Sequence, residues 1–156
     1  MPLDRLDVQI LNLLQTDASL PLRELAERVH SSTATVQRRL AQLRTDGYLV
    51  KQVVLLNRQL VGKVLTIFVS VEIETQNESM LRAFEKQMQN EHDVMACYEV
   101  SGEFDFMLIV TASSMEAYHG FTRRVFTSAN NVRNFKSNFA MNCSKFETRI
   151  NLEEPQ

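Results

Sequence analysis

The chain predicts an α+β protein of two modules, an N-terminal winged helix-turn-helix and a C-terminal ferredoxin-like βαββαβ unit. Three observations lead there. Before Tyr48, apolar residues recur at helical spacing in three short runs, each bounded by capping or breaking residues. From Val64 onward, runs rich in β-branched and aromatic residues alternate with amphipathic helical runs in the order β-α-β-β-α-β. Charge divides as well: residues 1–60 hold eight Arg/Lys against six Asp/Glu, and residues 61–156 hold nine against thirteen, so a mildly basic module precedes an acidic one.

In the first module, Leu3, Leu6, Ile10, Leu13 and Leu14 line one stripe of a helix over 3–15 that Asp4 caps and Asp17-Ala18-Ser19 ends. Pro21 suits the first turn of a second helix through Val29, with Leu22, Leu25, Ala26 and Val29 inward. His30-Ser31 makes the turn. Ser32 caps a third helix running to Asp46, with Val36, Leu40 and Leu43 on its core stripe and Gly47 in a left-handed cap. The β-prone run 49–56 follows as a wing and then a tether.

The second module opens after Gly62. Residues 64–74 read as a strand, and Asn77-Glu78-Ser79 starts a helix to Asn90 with Met80, Leu81, Phe84 and Met88 on one side. Strands over 94–100 and 104–111 flank a Ser101-Gly102-Glu103 turn; Ser113-Ser114 caps a helix carrying Met115, Tyr118, Phe121, Thr122 and Val125. Residues 132–141 form a fourth strand and 145–152 a further short one. Two helices on one face of so small a sheet leave the other face and two edges open, so a second copy is expected to cover them. The boundaries that follow are 1–48 for the helical module, 49–61 for the tether, 62–152 for the ferredoxin-like module and 153–156 for a tail.

Composition excludes several classes. Apolar residues at 44% and charged residues at 23% are ordinary for a globular domain. The apolar run 64–71 is broken by Thr66 and Ser70 and is too short to cross a bilayer, and the N-terminus lacks the layout of a signal peptide, so a cytoplasmic location without membrane partners is expected. Cys97 and Cys143 are too far apart for a zinc site and lie in apolar stretches, where buried thiols are expected. His30, His92 and His119 are scattered. No metalloprotease, nucleophile-elbow, P-loop or dinucleotide motif is present, and Glu72, Glu74, Glu99, Glu103 and Asp105 form no acid/base pair. No enzyme activity, metal or cofactor is expected.

The chemistry concentrates on the third helix. Between residues 33 and 58, Arg38, Arg39, Arg44, Lys51 and Arg58 face a single acid, Asp46. The side of the helix opposite its core stripe is small, polar or basic, which suits a major groove of double-stranded DNA. Arg38 is the best base reader, because a guanidinium pairs bidentately with guanine, and Ala34, Thr35 and Gln37 could read adjacent edges. Ser32 with the helix start suits a phosphate, and Thr33 belongs to the same DNA-facing side. Arg44 and Lys51 are phosphate contacts, and loss of Lys51 should weaken binding to every sequence while flattening the salt slope. Arg39 lies nearer the core flank and serves either the DNA backbone or an intradomain carboxylate.

The order Leu3-Asp4-x-x-Asp7-x-x-Ile10-Leu11, Glu24-Leu25-Ala26, Val36-x-x-Arg39-Leu40-x-x-Leu43-x-x-x-Gly47, the Gly62 turn and Gly102-Glu103-Phe104-Asp105-Phe106 resembles the Lrp/AsnC (leucine-responsive/asparagine, feast/famine) regulators of bacteria and archaea over nearly the whole of 3–152. His30, Ser31 and Thr33 depart from the glycine, leucine and proline common there. The resemblance implies a RAM/AsnC-type C-terminal domain, a sequence-specific transcriptional regulator associated with the nucleoid, and homodimers that assemble into tetramers or octamers. It also implies an amino-acid effector between subunits, at the hairpin Ser101, Gly102, Glu103, Phe104 and Asp105 together with Ser137 of the fourth strand. A glycine turn offers backbone N–H groups to a carboxylate and Asp105 offers a charge to an ammonium. The alternatives are a plain hairpin whose Asp105 pairs with a nearby cation, an effector-independent DNA-organising or autoregulatory protein, or a sensor that ignores DNA.

Overall fold

The computed structural model describes residues 2–153. Met1 and residues 154–156, which make up most of the predicted tail, lie outside the described residues. The chain divides into two units, one formed by the chain up to Leu55 together with the segment from Lys145 on, the other by Leu56–Ser144. Each has its own apolar core.

The first unit holds α1 (Arg5–Thr16), α2 (Leu22–Arg28) and α3 (Thr33–Thr45). Helix α1 starts at a capping box: the Asp4 carboxylate accepts the Asp7 N–H at 2.9 Å and the Asp7 carboxylate accepts the Asp4 N–H at 3.1 Å. Pro21 sits one position earlier than predicted, as the N-cap of α2. Ile10, Leu11, Leu25, Ala26, Val29, Val36 and Leu43 close the core. The turn between α2 and α3 takes His30 to a φ of +51°, and Gly47 at +79° lets the chain reverse after α3, with the Leu49 N–H donating to the Leu43 carbonyl at 3.1 Å.

Two expectations for this unit fail. Residues 49–56 contain no strand: Leu49 packs on the core, but Val50, Val53, Val54, Leu55 and Leu56 are exposed. A strand exists only against a partner, and no described strand pairs with this run. The helical unit therefore has no β wing among the described residues. Residues 145–152 also form no strand and do not belong with the ferredoxin-like unit. They lie along α1, where Leu152 packs against the helical core.

The second unit runs β1 (Leu65–Ile73), α4 (Glu78–Gln89), β2 (Val94–Glu99), β3 (Phe106–Ala112), α5 (Met115–Val125), a single 3₁₀ turn at Ser128–Asn130, and β4 (Val132–Phe139). The four strands form one antiparallel sheet in the order β2-β3-β1-β4, the predicted ferredoxin-like plan. Alternate residues Ile67, Val69, Val71 and Ile73 of β1, with Phe106, Leu108 and Val110 of β3, pack with Phe84 and Met88 of α4 and Tyr118, Phe121 and Val125 of α5. The residues between them point the other way, where Phe68 of β1 is 41% exposed and Tyr98 of β2, paired with Met107, is 58% exposed. Cys97 is half-buried on β2, whereas Cys143 is exposed, against expectation, because residues 140–147 form no helix or strand that could bury it.

Candidate nucleic-acid interface and effector pocket

Helix α3 is positioned by its cap and by one arginine. The Ser32 hydroxyl accepts the Thr35 N–H at 3.1 Å and donates to the Thr35 hydroxyl at 2.9 Å. Both hydroxyls are thus engaged with each other, and Thr35 is half-buried. Arg39 reaches back to α1, with one terminal nitrogen 2.7 Å from the Asp4 carboxylate and the other 3.3 Å from that of Asp7. Asp7 is buried, so its charge needs this partner. The Asp7 backbone N–H first, against the opposing effect of burial, and then the Arg39 charge hold the Asp4 carboxyl below its usual range. This resolves the open choice for Arg39: it serves an intradomain carboxylate pair, and its assignment as a DNA contact is withdrawn.

The remaining side chains separate onto the outer side of α3. Thr33, Ala34, Gln37, Arg38 and Arg44 are exposed, and Arg38 and Arg44 make no ion pair with any described residue. Lys51 is exposed on the extended segment after α3 and is likewise unpaired among the described residues. Two unneutralised guanidiniums therefore stand on the solvent side of a capped helix, while the third is spent holding that helix in place.

The hairpin between β2 and β3 is tied down from inside. Gly102 sits at a φ of +138°, and the Val100 N–H donates to the Asp105 carbonyl at 2.9 Å. One oxygen of the Asp105 carboxylate accepts the Ile73 N–H at 2.7 Å, and the other accepts the Gln76 amide at 2.9 Å. Asp105 is thus a hairpin anchor, and both of these partners are neutral, so it does not pair with a neighbouring cation among the described residues. Ser101, Gly102 and Glu103 remain exposed. The Phe104 ring lies 4.8 Å below the Lys136 ammonium.

Ser137 is not brought to this hairpin. It pairs across β4 with Val69 of β1, and its hydroxyl lies 2.6 Å from the Tyr118 hydroxyl on α5. Lys136 and Ser137 are consecutive strand residues and so point to opposite faces, which places Phe104 on the open face and Ser137 on the helix-covered one. Around Ser137 lies an open hollow of about 570 Å³ bordered by Met115, Glu116, Tyr118, His119, Thr122 and Phe139. Burial, partly offset by the Ser137 hydrogen bond, pushes the Tyr118 hydroxyl up from its ordinary value. Sequence reading missed Tyr118 here because its partner is nineteen residues away on another element. Among the described residues, no group of three or more His, Cys, Asp or Glu is placed to hold a metal ion, and no helix is long and apolar enough to cross a membrane.

Comparison with known proteins places both halves. Residues 3–44 match the AsnC-type helix-turn-helix domain and residues 66–150 match the Lrp/AsnC ligand binding domain. The chain is 47% identical over 150 residues to an uncharacterized HTH-type transcriptional regulator of Haemophilus influenzae, covering 96% of this chain and 89% of that one. It is 31% identical over 151 residues to the DNA-binding transcriptional activator DecR of Escherichia coli, covering 97% and 99%. Among solved structures, an AsnC family transcriptional regulator of Agrobacterium tumefaciens superposes with a TM-score of 0.90 at 32% identity, covering 96% of this chain and 97% of the other. A transcriptional regulator of Neisseria meningitidis, solved as its L-Met complex, gives the same TM-score of 0.90 and the same coverage of 96% and 97% at 29% identity. With its helix-turn-helix head and its ligand-binding sheet each accounted for, this chain belongs to the Lrp/AsnC family of transcriptional regulators.

Proposed function

We propose that this regulator reads duplex DNA with the outer side of α3 and adjusts that binding to an amino acid held between copies of the chain. The observation that carries the DNA reading is the fate of three arginines on one helix. Arg39 is neutralised inward by Asp4 and Asp7, whereas Arg38 and Arg44 face solvent without an ion-pair partner among the described residues. Arg38 then reads a base edge, Ala34 and Gln37 touch its neighbours, and Arg44, Lys51, Thr33 and Ser32 hold phosphates, with Thr35 acting through Ser32.

The effector reading rests on a separation. Within one chain the Ser101–Asp105 hairpin and Ser137 stand on different strands and serve opposite faces, so they line a common pocket only if two chains contribute. Tyr118, Met115 and Phe139 offer an apolar wall and Ser137 a hydroxyl, and the exposed Glu103 of a second chain's hairpin would add a charge, which suits an amino acid with an apolar side chain. The Neisseria relative's L-Met complex supports the same class. Ligand bound there would favour one assembly, a dimer, tetramer or octamer, and so one spacing of DNA-binding heads. The setting is the cytoplasm, on the nucleoid, and the role is regulatory rather than catalytic. One observation favours a second reading, an effector-independent architectural role: the Asp105 carboxylate is already engaged.

Gel shifts on the DNA upstream of the protein's own coding sequence test the first reading. Arg38→Ala should lose about 1–3 kcal/mol of discrimination between that fragment and random duplex. Equal weakening on both would remove Arg38 from base reading. A thermal-shift screen against the twenty amino acids separates the two effector readings. A rise with one or a few, abolished by Ser137→Ala, supports a ligand; no rise with any supports the architectural role.

A further inference from the structure

Asn12 and Gln15 lie one turn apart on α1, and both are spent on the same distant segment. The Gln15 amide donates to the Ile150 carbonyl at 3.0 Å, and the Ile150 N–H donates back to the Gln15 amide oxygen at 2.7 Å. A side-chain amide here pairs with a backbone as one strand residue pairs with another. The Asn12 amide nitrogen donates to the Leu152 carbonyl at 3.2 Å, and the Leu152 side chain packs on the helical core. The Asn12 amide oxygen is buried with no partner among the described residues. An apolar residue at that position would avoid this cost, so the bond to Leu152 is the one contribution its amide makes.

We infer that residues 148–152 are a strap of the DNA-binding head, and that its seating on α1 is needed for full DNA affinity. The route is physical. The strap fixes the C-terminal half of α1, and the N-terminal half of the same helix carries Asp4 and Asp7, which hold Arg39 and hence α3. The match to the ligand-binding family model runs to residue 150, yet the last six residues of that match, 145–150, belong to the helical head.

The test compares the intact chain, Gln15→Ala, and a chain stopped after Ser144, by hydrogen–deuterium exchange and by DNA affinity as a function of salt. In the intact chain the Ile150 amide is protected, and in Gln15→Ala it should exchange at least ~10-fold faster, with loss of protection in the second half of α1. Affinity for the upstream fragment should fall at least ~3-fold in both variants, with an unchanged salt slope in Gln15→Ala, which removes no cation. A synthetic peptide of residues 145–153 should restore α1 protection to the shortened chain. An unprotected Ile150 amide in the intact chain, or α1 protection that neither variant changes, would overturn the strap. Lost protection with unchanged affinity, or an altered salt slope in Gln15→Ala, would overturn its link to DNA binding. If the intact chain binds no duplex at all, the proposed DNA role of α3 fails instead, and the exchange measurements alone decide the strap.

Discussion

Arg38 and Arg39 are neighbours in sequence and opposites in surroundings, and the difference comes from the turn of the helix. A step of one residue rotates the side chain by about 100°, enough to take a guanidinium from solvent to the flank of α1. Two cysteines show the same dependence on place. Burial first, and the Glu85 carboxylate second, push the Cys97 thiol up to about 11, while Cys143 is exposed. At pH 8, iodoacetamide should label Cys143 at least ~10-fold faster than Cys97, read by peptide mass, since the thiolate is the reacting form. The linkage has a definite sign. Unfolded, the Cys97 thiol ionises near 8.5, so from there up to about 11 the unfolded chain releases a proton that the folded chain keeps, and stability falls as pH rises. The raised Tyr118 hydroxyl acts in the same direction. Urea midpoints measured from pH 8 to 11 should therefore decline, and Cys97→Ala should flatten part of the decline.

Among the elements, α1 and α3 are joined by the Asp4–Arg39–Asp7 cluster more directly than by size of contact. Arg39→Ala would leave the buried Asp7 carboxylate without its cation and should cost about 1–3 kcal/mol in urea unfolding, with Arg39→Lys recovering part. Arg44→Ala, which removes an exposed side chain proposed to contact phosphate, should change the unfolding free energy by no more than about 0.5 kcal/mol, which distinguishes the two roles. The helices and the four sheet strands were legible in the sequence because their signals are local. Asp4, Ser32, Asn77 and Ser114 cap where their residue types suggest, and the alternation in 65–73 marks which face is buried. Residues 49–56 and 145–152 were misread for one reason: β propensity describes a residue, whereas a strand is a relation with a partner. The candidate site followed the same division. The outward side of α3 could be read from helical spacing, but the tie of Ser137 to Tyr118 and the use of Asp105 by Ile73 and Gln76 depend on contacts between separate elements.

For the whole molecule, the open face of the sheet is the feature that bears on assembly. Phe68 stands between Ile109 on β3 and Asn138 on β4, with Met107 and Tyr98 further along, and both Phe68 and Tyr98 are exposed. If a second copy packs on this face, sedimentation should show Phe68→Glu as a smaller species than the parent at equal concentration, with its helical signal retained; an unchanged size would move the contact elsewhere. The head has a different dependence on the rest of the chain. Its core takes Leu152 as well as residues 10–43, so the head is encoded by two widely separated stretches of the chain. During synthesis, the first helices leave the ribosome long before the segment that completes them, and the codon for Leu152 must be read before that hydrophobic seam can close. An interrupted product, even one retaining every α3 residue and the entire sheet, would carry an unfinished head.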